Sequence, residues 1–526
     1  MLRRFLFTIP TALAILAIVL YPRASPTAEP VIRVDGRKDT VLFLTTEATG
    51  LSNVHLAAAS ALLEHYPDLE VHYASFPKLA SRVSRISDTA LASNPSAKPI
   101  QWHEIPGTPF LSVFEKHFGD VEAMIIGTGT ADYDKKIRDL VFSLAPWDVE
   151  DHWDMYTALN SLINDIDPAI IVLDNMLAPA TDLAAHSDRR FLSLVPNGLL
   201  ELIVADQPRG AVAWKYPAAF SGYQFPLSWK QTISNIVLTV RLGYNLASSP
   251  VLAAKRAFLV EKGIENPIVF SFVIKDVPVL ASTFKEANVP MDFYPPYLKF
   301  CGHVAMSTTS AADQDPEMVS WLAQKPTILI NLGSLFAYNQ QRARAMADAL
   351  ATLMAETDFQ VLWKFKKLGE YGDEVFANIQ KDIQSRRIRI ETWLETEPAA
   401  LLETGHIVLE VHHGGANTYH EAIYVTNFGN STGVPQMILP LWFDLFNFAN
   451  MAEYLGIGIW AGRSTTPEWV PESLVEGFRT ALVGPSSISL REKAQKLGEV
   501  ARQYDGRKIA ADEIARLAAI GKEATK

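Results

Sequence analysis

The segment Val411–Val425 reads VHHGGANTYHEAIYV; TNFGNST (426–432) follows it, then GVPQMILPLWFDLFNFANMAEYLGIG (433–458). A buried-type strand runs into His413-Gly414-Gly415, and a helix is expected at once behind it. Glycines at that junction let a ligand approach bare backbone N–H groups, and a helix N-terminus favours an anion. On that helix His413, Asn417 and Glu421 fall at i, i+4 and i+8 and so share one side. A diphosphate at the helix start with a ribose one turn along fits that arrangement. The segment implies a site for a nucleotide-diphosphate sugar.

Outward from this segment the chain alternates strand and helix. TVLFLTT (40–46), LEVHYASF (69–76), PAIIVLDN (168–175) and FLSLVP (191–196) are short apolar runs separated by helical stretches. A second series follows with TILINLGS (327–334), FQVLWKF (359–365), RIRIETW (387–393), IVLEVHH (407–413), PQMILP (435–440) and IGIWAG (457–462). Continuous apolar strands alternating with helices argue for parallel α/β sheets. The expected fold class is therefore α/β, with two tandem Rossmann-like domains holding a ligand between the carboxyl ends of their strands. The domain reading is 1–28 as membrane segment, 29–305 as first domain and 306–325 as linker. Residues 326–485 form the second domain and 486–526 the terminal helices. The linker rests on the polar, turn-prone run Thr308–Pro316.

Composition narrows the function classes. The chain has 526 residues, 48% of them hydrophobic, enough for large cores. A net charge of −11 argues against a nucleic-acid partner. A single cysteine, Cys301, excludes an intrachain disulfide framework. Met1-Leu2-Arg3-Arg4 precedes an apolar run from Phe5 to Tyr21, which reads as a signal peptide or, preferred here, an uncleaved signal-anchor. That predicts a single-pass protein of the endoplasmic reticulum or another endomembrane. Asn430-Ser431-Thr432 is a glycosylation sequon, meaningful only for a lumenal domain. Trp214, Tyr216, Phe220, Tyr223, Phe225 and Trp229 form an aromatic stretch open to ordinary packing, an acceptor pocket or membrane contact.

The residues named so far resemble the donor signature of the family 1 UDP-glycosyltransferases, two-domain enzymes of the GT-B fold, most of all fungal members. Trp393, His413, Gly415, Asn417, Thr418, Glu421, Gly433-Val434-Pro435, Pro440 and Asp444 fall in its order. Weaker likeness extends through TILINLGS, FYPPYLKFCGHV (293–304) and the first β-α-β unit. The resemblance implies that Trp393 stacks on uracil, that His413, Gly415, Asn417 and Thr418 hold the diphosphate, and that Glu421 binds ribose hydroxyls. It also implies that Asp444 reads the donated sugar and that Ser334 lies near the phosphates. No cofactor or metal is expected; a UDP-sugar, in first place UDP-glucose, is the co-substrate. The implied reaction is inverting transfer of a hexose to a hydroxyl of an apolar small molecule or lipid, of the kind found in secondary metabolism.

Three departures stand out. Leu445 follows Asp444 where many members carry a sugar-reading glutamine; Thr396 stands where many have another; and TNFGNST is an insertion with turn composition. The usual base, a histidine directly after a glycine, is here Leu51 after Gly50. His55 lies one helical turn further and is the candidate base, with Asp174 at the end of PAIIVLDN as its partner. Two alternatives stay open from sequence: a subunit that binds a nucleotide-sugar without transferring it, and an epimerase or phosphorylase-type enzyme on a similar fold.

Overall fold

Two parallel sheets follow one another along the chain. The computed structural model describes residues 33–306, 309–427, 430–431 and 433–523. The apolar run Phe5–Tyr21, on which the anchor was expected, and Thr432 of the sequon lie outside them.

The first sheet contains β1 (Arg37–Leu44), β2 (Glu70–Ser75), β3 (Gln101–Glu104), β4 (Pro168–Leu173), β5 (Phe191–Val195), β6 (Val279–Ala281) and β7 (Leu298–Phe300). Their order is β3-β2-β1-β4-β5-β6-β7, parallel throughout. The second contains β8 (Thr327–Ile330), β9 (Gln360–Lys364), β10 (Ile388–Glu391) and β11 (Ile407–His412). The inserted segment forms a small antiparallel hairpin of β12 (Thr426–Asn427) and β13 (Asn430–Ser431). After it β14 (Gln436–Ile438) and β15 (Gly458–Trp460) complete the second sheet, in the order β10-β9-β8-β11-β14-β15.

Strands β4 and β8 are buried along their whole length, as sheets covered by helices on both faces require. Strand order reverses between β1 and β4 in one sheet and between β8 and β11 in the other. Ligands of such sheets bind beyond the strand ends at these reversals. The loops there are Thr45–Ala48, Asp174–Leu177, Asn331–Ser334 and His413–Gly415. Asp174, Ser334, His413 and Gly415, four of the residues singled out from sequence, lie in these loops.

One segment differs from the sequence reading. The expected linker 306–325 contains helices Ala311–Gln314 and Pro316–Leu322. Ser310 and Asp315, which looked like linker residues, cap these helices by accepting from the backbone N–H groups of Asp313 and Met318. Met318, Trp321 and Leu322 then pack with Leu329 and Leu362 of the second sheet and with Leu401 of helix Pro398–Glu403. The terminal tail also has a partner. Its last helix, Gly506–Ala518, lies against helix Thr49–His65 of the first domain. Ala510, Ala511, Ile514 and Ala518 share a core there with Leu56, Ala59 and Leu63. Tyr66 Oη donates to Asp512 at 2.8 Å, and Arg507 pairs with Glu64 at 2.8 Å. The tail thus ties the second half of the chain back to the first.

Helix Trp229–Ala247 and helix Pro250–Glu261 follow β5. Together, as Trp229–Glu261, they are long and apolar enough to cross a membrane by length and composition, a test that core helices of soluble proteins also pass. The aromatic stretch before them divides: Tyr216 and Phe220 are core, Tyr223 and Phe225 half-buried, and Trp214 and Trp229 exposed. Phe220 meets Phe443 of the second domain at 6.1 Å between ring centroids, so part of the stretch seals the domain boundary.

Replacing Ile514 by alanine leaves a cavity between the tail and helix Thr49–His65. It is expected to destabilise the protein by about 2–5 kcal/mol, read from urea unfolding midpoints.

Candidate active site

Strand β11 delivers His413, and Gly414 turns the chain with φ +94°. The helix begins at Ala416 and runs to Ile423, with Gly415 as its N-cap residue. His413 therefore precedes the helix instead of opening its first turn: the left-handed turn at Gly414 uses residues that the simple helical spacing counted as helix. Glycine at the cap supplies no side-chain oxygen, so no side chain caps the first-turn N–H groups. The sequence leaves this helix end open to a ligand.

His413 lies between two backbones. A Cβ on Gly333 or on Gly415 would each come within 2.7 Å of its Cε1. Only glycine allows the β8 loop and the helix entry to close on the imidazole from both sides. Ser334 is exposed on the same loop, beside Gly333 (φ +83°). His413 Nδ1 is buried without a hydrogen-bond partner among the described residues. Burial, then the charge of Lys364, holds this histidine down at about 4, so it is neutral at physiological pH.

Lys364, which the sequence reading did not single out, ends β9 and joins the group. Its Nζ donates to the Gly333 carbonyl at 3.0 Å and sits 4.1 Å from the ring centroid of Trp393. Burial, then Lys366, lowers it to about 8. Trp393 is 55% exposed, so it is a surface platform and not a core residue. The only hint of Lys364 in the sequence was a lysine at the end of an apolar strand.

Further along the helix, Asn417 Nδ2 donates to the Gly50 carbonyl of the first domain at 3.2 Å. Thr418 is largely buried. Glu421 is half-buried, and burial, then Glu397, raises its carboxyl to about 7. Behind it on β11, Glu410 is fully buried, with neither carboxyl oxygen bonded among the described residues. Burial, then the neighbouring Glu421, pushes Glu410 well above the carboxylate range. Asp444 stands at the N-cap of helix Leu445–Leu455, yet its side chain makes no capping bond. Burial raises it to about 6. Leu445 is buried in the core.

The base position comes out differently from the sequence reading. His55 is 0% exposed. Its Nδ1 contacts the Leu51 carbonyl at 3.0 Å, its ring packs edge-on to Phe43, and Nε2 has no partner among the described residues. Burial lowers its pKa, and the charge of Asp174 only partly offsets this. The candidate base is thus sealed from solvent beneath its own helix in this structure. Asp174 ends β4 as expected. Its oxygens accept from Thr46 N (3.0 Å), Thr46 Oγ1 (2.7 Å) and Met176 N (2.9 Å), and no described hydrogen bond joins it to His55. In this structure Asp174 anchors the loop after β1. The described residues contain no group of three or more potential metal ligands.

No known family profile matches the sequence. Glycosyltransferase sdnJ from Sordaria araneosa is 30% identical over 503 residues, covering 90% of this chain and 96% of that protein. The chain belongs to the GT-B, family 1-like glycosyltransferases. Erythritol-mannosyl-transferase 1 of Mycosarcoma maydis matches this glycosyltransferase more locally, 28% identical over 124 residues, 24% of this chain and 18% of that one. Among solved structures, a UDP-glucosyltransferase from Polygonum tinctorium that glucosylates indoxyl superimposes with a TM-score of 0.56 at 15% identity. It covers 91% of this chain and 98% of that one. A UDP-glucose:anthocyanidin 3-O-glucosyltransferase in complex with UDP gives 0.52 at 14% identity, covering 92% and 99%. These two likenesses establish the two-domain fold.

Gly333→Ala forces a methyl group into His413 at a backbone angle that alanine resists. The variant is expected to lose UDP binding at least tenfold while keeping most of its thermal stability. Calorimetric titration paired with a melting curve measures both.

Proposed function

We propose that this glycosyltransferase takes a hexose, glucose in first place, from a UDP-sugar and transfers it with inversion to a hydroxyl of an apolar small molecule or lipid. The observation that carries this reading is the uncapped start of helix Ala416–Ile423, flanked by His413, Lys364 and the exposed face of Trp393. The diphosphate would lie against the first-turn N–H groups near Asn417 and Thr418, with Ser334 across from it, uracil on Trp393 and the ribose at Glu421. The names of the Polygonum and anthocyanidin enzymes support a UDP-sugar donor, and the indoxyl that the former glucosylates supports a hydroxyl on an apolar small molecule as acceptor.

Departure of UDP places negative charge on the diphosphate. Preorganised N–H groups at a helix end, together with the Lys364 ammonium, stabilise such charge in a partly dry site. On this reading turnover needs no divalent cation, and a chelator such as EDTA leaves the rate unchanged. A strict dependence on Mg²⁺ or Mn²⁺ overturns that part of the proposal.

The acceptor would enter from the first domain, past the exposed apolar surface around Trp229. On this reading the protein is attached to an endomembrane through residues 5–21, where a membrane-soluble acceptor would be available.

Lys364 fixes a pH dependence. A bound diphosphate raises the ammonium's pKa above its free value of about 8, so the complex holds more protons than the free enzyme. UDP affinity should therefore be level near pH 7–7.5 and weaken by several-fold between pH 8 and 9.5. Lys364→Met should bind UDP roughly tenfold more weakly at neutral pH and show a flat profile. Titrations across this range with both proteins make the comparison; a wild-type profile in the variant removes Lys364 from the site.

A further inference from the structure

Glu201 follows β5 in a short helix, Leu199–Leu202, whose N-cap residue is Gly198. It belongs to the first domain, yet its Oε1 accepts a hydrogen bond from Asn447 Nδ2 of the second. Its other oxygen, Oε2, is buried with no partner among the described residues. A Cβ on Gly198 would stand 2.8 Å from Oε2, so glycine there gives this oxygen its room. Asp444 lies three residues before Asn447, close enough for its charge to act on Glu201.

Burial, then Asp444, raises Glu201 to about 8, while Asp444 itself is raised to about 6. At neutral pH the pair holds a proton on Glu201 beside an ionised Asp444. A protonated carboxyl both donates and accepts, and an ionised one only accepts. Sugar hydroxyls do both, so the pair complements neighbouring hydroxyls on a ring. The backbone N–H groups of Gly198 and Glu201 lie near the carboxyl, yet Oε2 makes no full hydrogen bond among the described residues, and leaving a buried carboxyl oxygen unpaired is costly.

We propose that Glu201 is a specificity-determining residue of the donor site, reading hydroxyls of the transferred sugar together with Asp444 and Asn447. It would do from the first domain what the glutamine after the aspartate does in many members, a position that is the buried Leu445 here. This inference rests on the UDP-sugar reading above. It adds that the sugar, unlike the UDP moiety, is gripped by a carboxyl from each domain.

The test compares UDP with UDP-glucose, UDP-galactose and UDP-N-acetylglucosamine by calorimetric titration of the wild type and Glu201→Gln, Glu201→Ala and Asn447→Ala variants. The wild type should bind one UDP-sugar more tightly than UDP. In Glu201→Ala the UDP affinity should stay within about twofold, while the preferred UDP-sugar weakens about 10- to 100-fold and loses its advantage over the others. Glu201→Gln should fall between. Unchanged UDP-sugar affinity and preference in both Glu201 variants, with UDP still bound, overturns the role of Glu201 alone. Failure of the wild type to bind UDP at all overturns the donor reading instead. If the Glu201 variants do not fold, Asn447→Ala decides: it removes the bond that holds the carboxyl, and an unaltered sugar preference counts against the proposal.

Discussion

One helix holds the site together. Ala416–Ile423 has an N-terminus that no side chain caps, while its sides are fastened to the opposite domain. Asn417 bonds the Gly50 carbonyl, His420 Nε2 contacts Thr283 Oγ1 at 2.8 Å, and Tyr419 Oη donates to the Ala287 carbonyl at 2.8 Å. These bonds fix the direction in which the uncapped N–H groups point. An anion site made of backbone dipoles is only as good as its orientation, because the groups must already be aimed when charge arrives. The crossing of helix Gly506–Ala518 onto Thr49–His65 gives the same pair of domains a second tie far from the cleft.

The chemistry around this helix follows from burial. His413 is held neutral, Lys364 is pulled towards neutrality, and Glu421, Asp444 and Glu201 are all pushed upward. Each of these groups has given up water without gaining a full partner, which a folded chain tolerates where a ligand completes the set. A bound dianion would restore charge to Lys364, and a sugar and ribose would satisfy the carboxyls. On the proposed reading, these polar groups would pair across a substrate more than with one another.

Much of this was readable from residue order. Alternating apolar strands and helices announced two parallel sheets, and the HxG-N-T turn before Glu421 announced a helix start, because both signals are local. Lys364 and Glu201 were not legible. A lysine ending a strand and a glutamate in a four-residue helix carry no spacing signal, and each matters only through a partner far along the chain: Trp393 and Gly333 for one, Asn447 and Asp444 for the other. His55 shows the converse. Helical spacing correctly puts it one turn from the family position, yet a turn does not say which side of the helix meets the sheet.

The sequence by itself determined the class of fold, the glycines that allow close approach, and the residue types offered to a nucleotide-sugar. Those properties depend on neighbours within a few residues and on backbone freedom. The tertiary structure decided which polar groups lose their water, which histidine is sealed in the core, and which carboxyls face each other across the domain boundary. Burial and long-range pairing are properties of packed surfaces, and no stretch of chain carries them until the two sheets and the returning tail are in place.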